Sequence, residues 1–228
     1  MTAAVQAPQT MPVWDIFVRI VHWLLVAAIT FAWWSGEQGG EWMEWHMRAG
    51  YLVLGLVIFR LLWGFAGSFH ARFSSFVRSP PETLRYTRSL LQRREPHYAG
   101  HNPLGGWAVL LLLLFCALQA GTGLFANDDI MTEGPLASLV GYDLSIEITR
   151  WHKLLFNALL ALVGLHLAGV IFHQIFRREK LVQAMFSGRK ALTQAVDRAP
   201  AMAQKNLRRR GIFLVAIAGL LVWGLISL

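Results

Sequence analysis

Five long runs of apolar residues, separated by polar loops, dominate the hydrophobic pattern of the 228-residue chain. Each run is close to the roughly 20 residues that a helix needs to cross a bilayer, and backbone groups in lipid must pair within their own segment. The pattern therefore predicts an all-α membrane protein with five transmembrane helices, of which the last ends the chain. The predicted spans are residues 14–34, 47–66, 107–126, 152–175 and 211–228. Hydrophobic residues make up 55% of the chain, which is more than an ordinary soluble domain contains.

The loops between these runs alternate in charge. Residues 60–106 contain seven arginines and two acidic residues, and residues 177–210 contain ten basic residues. The intervening loops, 36–46 and 127–150, are acidic. Because Lys and Arg collect in cytoplasmic loops, we expect the N-terminus to lie in the cytoplasm and the C-terminus to lie on the opposite side of the membrane. The basic residues behind the net charge of +8 flank apolar runs, so membrane lipid, and not nucleic acid, is the expected partner.

Three regions are predicted along the chain. Residues 1–13 carry no charge and form a flexible tail, residues 14–190 form the transmembrane domain, and residues 191–228 form a cytoplasmic linker followed by the C-terminal helix. No Lys or Arg precedes Arg19, so the basic leader of a cleavable signal peptide is missing. We therefore expect the first apolar segment to remain in the mature protein.

One stretch of the first basic loop has the signature of a helix. Ser79 suits the N-cap, Pro80 suits the first helical position, and Glu82 completes a capping box. We interpret residues 79–95 as a basic helix that lies on anionic lipid headgroups. A docking surface for a partner protein is the alternative interpretation.

Five histidines lie within the predicted spans or at their ends, where an ionisable side chain is costly and is a functional candidate. His152 and His166 are 14 residues apart, which places them on one helical face about 21 Å apart along the axis. His46 begins the second span at the level of His152. His22 lies in the first span near the level of His166. The spacing thus predicts two histidine pairs at two depths.

Two stacked imidazole pairs suit two non-covalent haems, each with two axial histidines. The single cysteine, Cys116, excludes an intrachain disulfide, a CxxCH haem-attachment site and a thiolate zinc site. His173 is the rival of His166 as inner ligand, and His166 is favoured because its depth better matches that of His22. A hydrogen bond to a backbone carbonyl is the simpler interpretation of any one membrane histidine.

Small and cationic residues near the histidines could contact a haem, or they could have an ordinary structural role. Gly50 leaves room for a flat porphyrin or allows close helix packing, and the same choice applies to Gly55, Gly164 and Gly169. Haem propionates need cations at the membrane edge. Arg48 and Lys153 are candidates for the outer haem, and Arg19 and Arg60 for the inner haem. Interfacial anchoring is the favoured interpretation of any one of these cations.

The chain resembles the bacterial cytochrome b561 and nickel–iron hydrogenase cytochrome b group over residues 14–190. Three stretches carry the resemblance: "RIVHWLL" (19–25), "WHMRAGYLVLGLVIFRLLWG" (45–64) and "WHKLLFNALLALVGLHLAGVIFHQ" (151–174). The resemblance implies a four-helix core that holds two haem b groups and carries electrons between membrane quinone and a partner, or across the membrane. The positions that match the family's ligands are His22, His46, His152 and His166. The predicted fifth helix exceeds this core.

Two shorter motifs resemble one subgroup of this family. "GHNPLGG" (100–106) and "GLFANDD" (123–129) look like a subgroup that is often found beside cytochrome c partners. Our leading hypothesis is a di-haem electron carrier, or a subunit of a quinone-linked oxidoreductase, between the quinone pool and a periplasmic c-type cytochrome. His101 and Asn102 could line a quinone site, although ordinary loop roles are favoured for both.

Three alternatives stay open at this point. A superoxide:ubiquinone oxidoreductase would use exposed cations such as Arg150 and Lys153, but the acidic outer loops would repel superoxide. A cytochrome b subunit of a hydrogenase-type complex is the second alternative. The third is a transporter or membrane anchor whose histidines bind metal or relay protons, which predicts no haem. The sequence has no GxGxxG nucleotide motif, so reducing power must come from a lipid-soluble donor or a bound partner.

Overall fold

A computed structural model describes residues 9–192, 196–197 and 206–228 of the chain. Within these residues there are eight α-helices and two short strands. The helices are α1 (Ile16–Gln38), α2 (Trp42–Ala66), α3 (Phe73–Phe76), α4 (Pro80–Leu91), α5 (Pro103–Gly123), α6 (Tyr142–Phe176), α7 (Leu181–Ser187) and α8 (Leu207–Ile226). The strands are β1 (Gln9–Pro12) and β2 (Arg189–Leu192), and single 3-10 turns cover Phe69–Ala71 and Ala137–Leu139.

The prediction of five transmembrane helices is confirmed. Helices α1, α2, α5, α6 and α8 are long and apolar enough to cross a membrane. The largest difference from the predicted bounds is in α6, which begins at Tyr142 and not at residue 152. The first turns of α6 are rich in polar residues, so hydrophobicity alone does not reveal them. The 35 residues of α6 extend about 52 Å, well beyond a hydrocarbon core of about 30 Å.

The membrane helices pack as two pairs, and the largest contact between the pairs joins α2 to α5. Helix α1 packs on α2, α5 packs on α6, and α2 also packs on α5. Val57 of α2, Cys116 of α5 and Leu159 of α6 belong to the buried cluster at this junction. The fifth long helix, α8, packs on α2, where Val222 approaches Gly55. Large apolar side chains on the outer faces of these helices are exposed, as a lipid-facing surface requires.

The two ends of the bundle differ in charge. We call the end formed by residues 67–102 and 177–192 the basic end, because its loops are rich in arginine. We call the end formed by residues 39–41 and 124–141 the acidic end, because its charged residues are Asp and Glu. The positive-inside rule would place the basic end in the cytoplasm.

Asp15 fixes the start of α1 against the end of α2. Its Oδ1 accepts the backbone N–H groups of Phe17 and Val18 at 2.9 and 3.0 Å, which caps the helix. Its Oδ2 accepts the indole N–H of Trp63 at 3.0 Å and the Ser68 hydroxyl at 2.6 Å. This single carboxylate therefore sets the relative height of the two helices that carry His22 and His46.

The basic end contains the predicted capping box and a small antiparallel sheet. The Ser79 hydroxyl and the Glu82 carboxylate each accept the other residue's backbone N–H, at the start of α4. Strand β1 pairs with β2, and the backbone N–H of Val13 donates to the Gly188 carbonyl at 2.8 Å. Strand β1 lies within the segment predicted as a tail, where backbone pairing fixes residues 9–12. Residues 1–8 lie outside the described residues, and the division into three regions stays a prediction.

Candidate functional site

His46 and His152 face each other near the acidic end, as the sequence predicts. His46 projects from the second turn of α2, and His152 is the eleventh of the 35 residues of α6. Their ring centroids are 6.1 Å apart and their planes are nearly perpendicular, at 79°. Two imidazoles from different helices thus meet across the gap between the two helix pairs.

The backbone of α1 orients the His46 ring. Nδ1 of His46 lies 2.7 Å from the Ala32 carbonyl oxygen, to which it donates its hydrogen. This bond fixes the tautomer and leaves the lone pair on Nε2. Gly36, one turn further along α1, is required by the same contact, because a Cβ there would lie 2.9 Å from Nδ1 of His46. Sequence reasoning missed Gly36, because the first span was predicted to end at residue 34 and Gly36 was assigned to the loop that follows.

Helix α5 orients the His152 ring. The Thr122 hydroxyl donates to the Leu118 carbonyl at 2.8 Å, so its oxygen accepts from Nδ1 of His152 at 3.0 Å. The Gln119 side-chain amide lies 2.9 Å from Nε2 of His152, to which it donates. A Cβ on Gly123 would lie 3.2 Å from Cε1 of the same ring. The sequence does carry a signal for these three α5 residues, because positions 119, 122 and 123 share one helical face.

The chemistry of this pair fits haem iron. Imidazole nitrogens bind first-row metals at about 2 Å, so an ion between two axial imidazoles holds their ring centroids about 6 Å apart. The distance between His46 and His152 has this value. Gly50 lies one turn after His46, and a Cβ added to it would meet no atom within 4 Å. The donor set and the free space beside it are therefore those that a bis-histidine porphyrin needs.

The second predicted pair, His22 and His166, is not in direct ring contact as the first pair is. His22 is the seventh residue of α1, about 9 Å from the basic end of that helix, and His166 is ten residues, about 15 Å, from the end of α6. Among the described residues their rings make no direct contact. The two histidines therefore share a level only roughly.

His173, the rival of His166, has a polar group near each ring nitrogen. Nε2 lies 3.4 Å from the Asn102 amide nitrogen, and Nδ1 lies 3.4 Å from the Glu179 carboxylate. Lys190 holds the other oxygen of that carboxylate at 2.6 Å. Burial alone would raise the pKa of Glu179, but the His173 hydrogen bond and the Lys190 charge lower it to about 2. His173 is thus engaged by a charged network at the basic end, which favours His166 as the free ligand.

The four cations proposed for propionates have different environments. Arg60 is 6% exposed, lies over the Phe73 ring at 5.3 Å, and its Nη1 has no hydrogen-bond partner within the described part of the chain. Arg19 donates to the Phe186 carbonyl. Arg48 pairs with Glu44 on its own helix. Lys153 is exposed on α6. Arg60 Nη1 and Arg19 Nε are both buried donors without a hydrogen-bond partner in the described part of the chain, and Arg60 is the more fully buried of the two residues.

His101 and Asn102, considered for a quinone site, lie at the start of α5. Asn102 caps the helix by accepting the Gly105 N–H at 2.8 Å. The His101 ring packs between Trp14 and Phe76, with centroid distances of 4.7 and 4.8 Å. Burial, and then the charge of Arg60, lower the pKa of His101 to about 3, so its imidazole is neutral. Asn102 thus has a structural role, while His101 adds a buried neutral imidazole near Arg60.

Comparison with known proteins identifies the family. Residues 13–188 match the sequence profile of the prokaryotic cytochrome b561 family. The chain belongs to this family. That membership establishes it as a multi-pass membrane b-type cytochrome that carries electrons, and b-type cytochromes hold haem b.

Relatives of this cytochrome have two kinds of names. A "Probable Ni/Fe-hydrogenase B-type cytochrome subunit" of Rhizobium leguminosarum bv. viciae is 28% identical, covering 83% of this chain and 92% of the relative. A protein of the same name from Bradyrhizobium diazoefficiens is 27% identical, covering 78% and 85%. A "Probable superoxide oxidase CybB" of Yersinia pestis is 26% identical, covering 72% and 91%. No solved structure matches the chain.

Proposed function

We propose that this cytochrome binds two haem b groups, one between His46 and His152 and one between His22 and His166. The observation that carries the proposal is the 6.1 Å separation of the His46 and His152 rings, which suits one metal ion between them. The second site is supported by the helical face that His166 shares with His152, by the roughly similar depths of His22 and His166, and by the charged network around His173. When bound, haem iron supplies one-electron transfer.

The chain's own side chains orient the ligands. The Ala32 carbonyl and the Thr122 hydroxyl accept the Nδ1 hydrogens of His46 and His152, which leaves the lone pairs on Nε2. The Gln119 amide donates to Nε2 of His152 in this structure, and it would have to release that nitrogen for iron to bind there. Nη1 of Arg60 would donate a hydrogen bond to a propionate at the basic end. Gly50 would leave the space for a ring edge near the acidic end. Arg19, Arg48 and Lys153 are weaker candidates for propionate contacts because the first two have other partners and the third is exposed.

We further propose that electrons pass between the quinone pool and a periplasmic redox partner, such as a c-type cytochrome. This requires the basic end to be cytoplasmic and the C-terminus to be periplasmic in the bacterial inner membrane, which the positive-inside rule supports. The acidic end then faces the periplasm, where its carboxylates suit a basic partner. A hydrogenase-type complex is an alternative setting, supported by the names of several relatives.

Superoxide oxidation is the second candidate function, because one relative is named "Probable superoxide oxidase CybB". It would need cations at the acidic end to attract the superoxide anion. Arg150 pairs with Glu147 at 3.0 Å, and Lys153 follows the acidic segment 127–150. These charges favour electron transfer to a basic protein over capture of superoxide.

The proposal is tested by a dithionite-reduced minus air-oxidised visible spectrum of the purified protein, with haem quantified per chain. We expect a sharp α-band and about two haems per chain. One haem per chain would contradict the second histidine pair. Absence of haem in protein produced with haem available would contradict the whole proposal and favour the alternative of a transporter or anchor with metal- or proton-binding histidines.

A further inference from the structure

Two large apolar side chains project from the loop that covers the acidic end. Ile130 is 84% exposed and Met131 is 90% exposed, although neither lies on a lipid-facing helix. We call these two residues the apolar tip. A contiguous exposed apolar patch rimmed by polar residues is typical of an interaction site.

A rigid turn presents the apolar tip. Oδ1 of Asp128 accepts three successive backbone N–H groups, those of Ile130, Met131 and Thr132, at 3.0, 3.0 and 2.8 Å. The backbone N–H of Asp128 donates back to the Thr132 carbonyl at 3.1 Å. Because the turn is closed in both directions, little conformational entropy is lost when a partner contacts its side chains.

Carboxylates surround the apolar tip. Asp128, Asp129 and Glu133 lie within three residues of it in the sequence. Burial would raise the pKa of Asp128, but the hydrogen bonds from Thr132, Ile130 and Met131 lower it, so the group is charged at neutral pH. An apolar centre with a negative rim is complementary to a protein whose apolar patch is ringed by Lys and Arg. Anionic lipid headgroups would be repelled.

The turn is connected to the His152 ring through packed backbone. A Cβ on Gly134 would lie 2.6 Å from the Gly123 carbonyl oxygen, and Gly123 itself packs against the His152 ring. The Asn127 N–H donates to the Thr149 hydroxyl at 2.9 Å, one turn before His152 on α6. A protein bound at the apolar tip would therefore lie next to the His46–His152 site.

We propose that the apolar tip, with its carboxylate rim, is the docking surface for a basic redox protein that exchanges electrons with the acidic-end site. This inference rests on the proposed function. In the transfer, one electron leaves the reduced cytochrome b and reduces the ferric iron of the partner to ferrous iron. No bond forms or breaks, and no proton moves.

The experiment measures electron transfer from the dithionite-reduced, desalted holoprotein to oxidised mitochondrial cytochrome c, a basic haem protein, by stopped flow at several salt concentrations. The test variant is Ile130→Ser combined with Met131→Ser. The matched control is Leu91→Ser, because Leu91 is 80% exposed at the opposite end of the bundle. Haem content and the visible spectrum are recorded for every variant.

We expect the second-order rate constant to fall as salt rises, to fall at least tenfold in the double variant, and to be unchanged in Leu91→Ser. Equal rates for the double variant and the control would overturn the inference, as would a salt-independent wild-type rate. Loss of a dimer in the double variant with an unchanged rate would also overturn it, since a second copy would then be the occupant. Failure of the proposed function is distinguishable, because it removes haem from the wild-type protein itself.

Discussion

His46 and His152 meet with ring centroids 6.1 Å apart, whereas the rings of His22 and His166 make no direct contact in the described part of the chain. At the acidic end, each ring also has a partner from a third or fourth helix, which fixes its tautomer. At the basic end, the polar groups are either held in charged networks, as His173 is, or unsatisfied, as Arg60 Nη1 is. Helix-to-helix hydrogen bonds therefore orient the histidines at the acidic end. At the basic end, a buried donor such as Arg60 Nη1 has no acceptor in the described part of the chain.

This difference has a physical cause. Side chains on two packed helices can hydrogen-bond a ring wherever small residues let the backbones approach, as Gly36 and Gly123 do at the acidic end. The basic end must also bring together loops, α7, β2 and the N-terminal strand. Its polar groups are therefore distributed among several structural roles.

The largest effect is expected from removing one proposed haem ligand at the acidic end and one nearer the basic end. We expect His152→Ala to lose the acidic-end haem and retain about one haem per chain, and His166→Ala to lose the other, because an iron–imidazole bond has no substitute at either position. Haem per chain and the difference spectrum measure this. His173→Ala is the matched control and should retain two haems. Normal haem content in His166→Ala with loss in His173→Ala would show that His173 is the ligand.

A smaller effect is expected from crowding the His46 ring. Gly36→Ala places a Cβ 2.9 Å from Nδ1, so the ring must move away from the Ala32 carbonyl. Loss of that hydrogen bond, about 1 kcal/mol, should weaken haem retention at the acidic end about fivefold. Titration of haem release by an apo-globin acceptor measures the change. Gly219→Ala, in open space on α8, is the control and should behave as wild type.

A subtler change is expected at Thr122. Thr122→Val removes the acceptor of the His152 Nδ1 hydrogen, which lowers the basicity of the ring and destabilises ferric iron. A loss of about 1 kcal/mol corresponds to a rise of about 40 mV in the midpoint potential of a one-electron couple. Redox potentiometry should show the rise for one haem only. Thr122→Ser retains the hydroxyl, and a potential equal to that of Thr122→Val would contradict the role of the hydrogen bond.

The smallest effect at neutral pH concerns the charged network of the basic end. The pKa of Glu179 is lowered from 4.5 to about 2, so the folded state favours the carboxylate. Its stabilising contribution is present above pH 4.5 and is lost as the pH falls toward 2. Thermal unfolding in detergent between these pH values should show a steeper loss of stability for wild type than for Glu179→Gln. Parallel curves would mean that Glu179 is not linked to folding.

Much of the fold and of the candidate site follows from local pattern. Apolar runs predict the five membrane helices because lipid excludes unpaired backbone, and the 14-residue spacing of His152 and His166 predicts one helical face. The capping box at Ser79 is likewise local, since all its groups lie within one turn. The ligand assignments themselves, including the choice of His166 over His173, stay predictions.

Other features have no local signal. A hydropathy pattern does not predict the polar first turns of α6. These turns are stabilised by contacts with the preceding loop, such as the hydrogen bond that the Ser145 hydroxyl donates to the Phe125 carbonyl at 2.7 Å. The pairing of β1 with β2 joins segments almost 180 residues apart, so no window of sequence contains both. The sequence does not distinguish Arg60 from an ordinary interfacial arginine, because its burial depends on contacts between distant segments.

The sequence by itself determined which segments are helical, which loops are charged and which histidines share a face. All three depend on the order of residues along a single helix or loop. Only the tertiary structure decided that Ala32, Thr122 and two glycines shape the acidic-end pair, and that Glu179 and Asn102 engage His173. These contacts join different helices and loops, and their geometry depends on how closely the backbones approach, which helical periodicity does not specify.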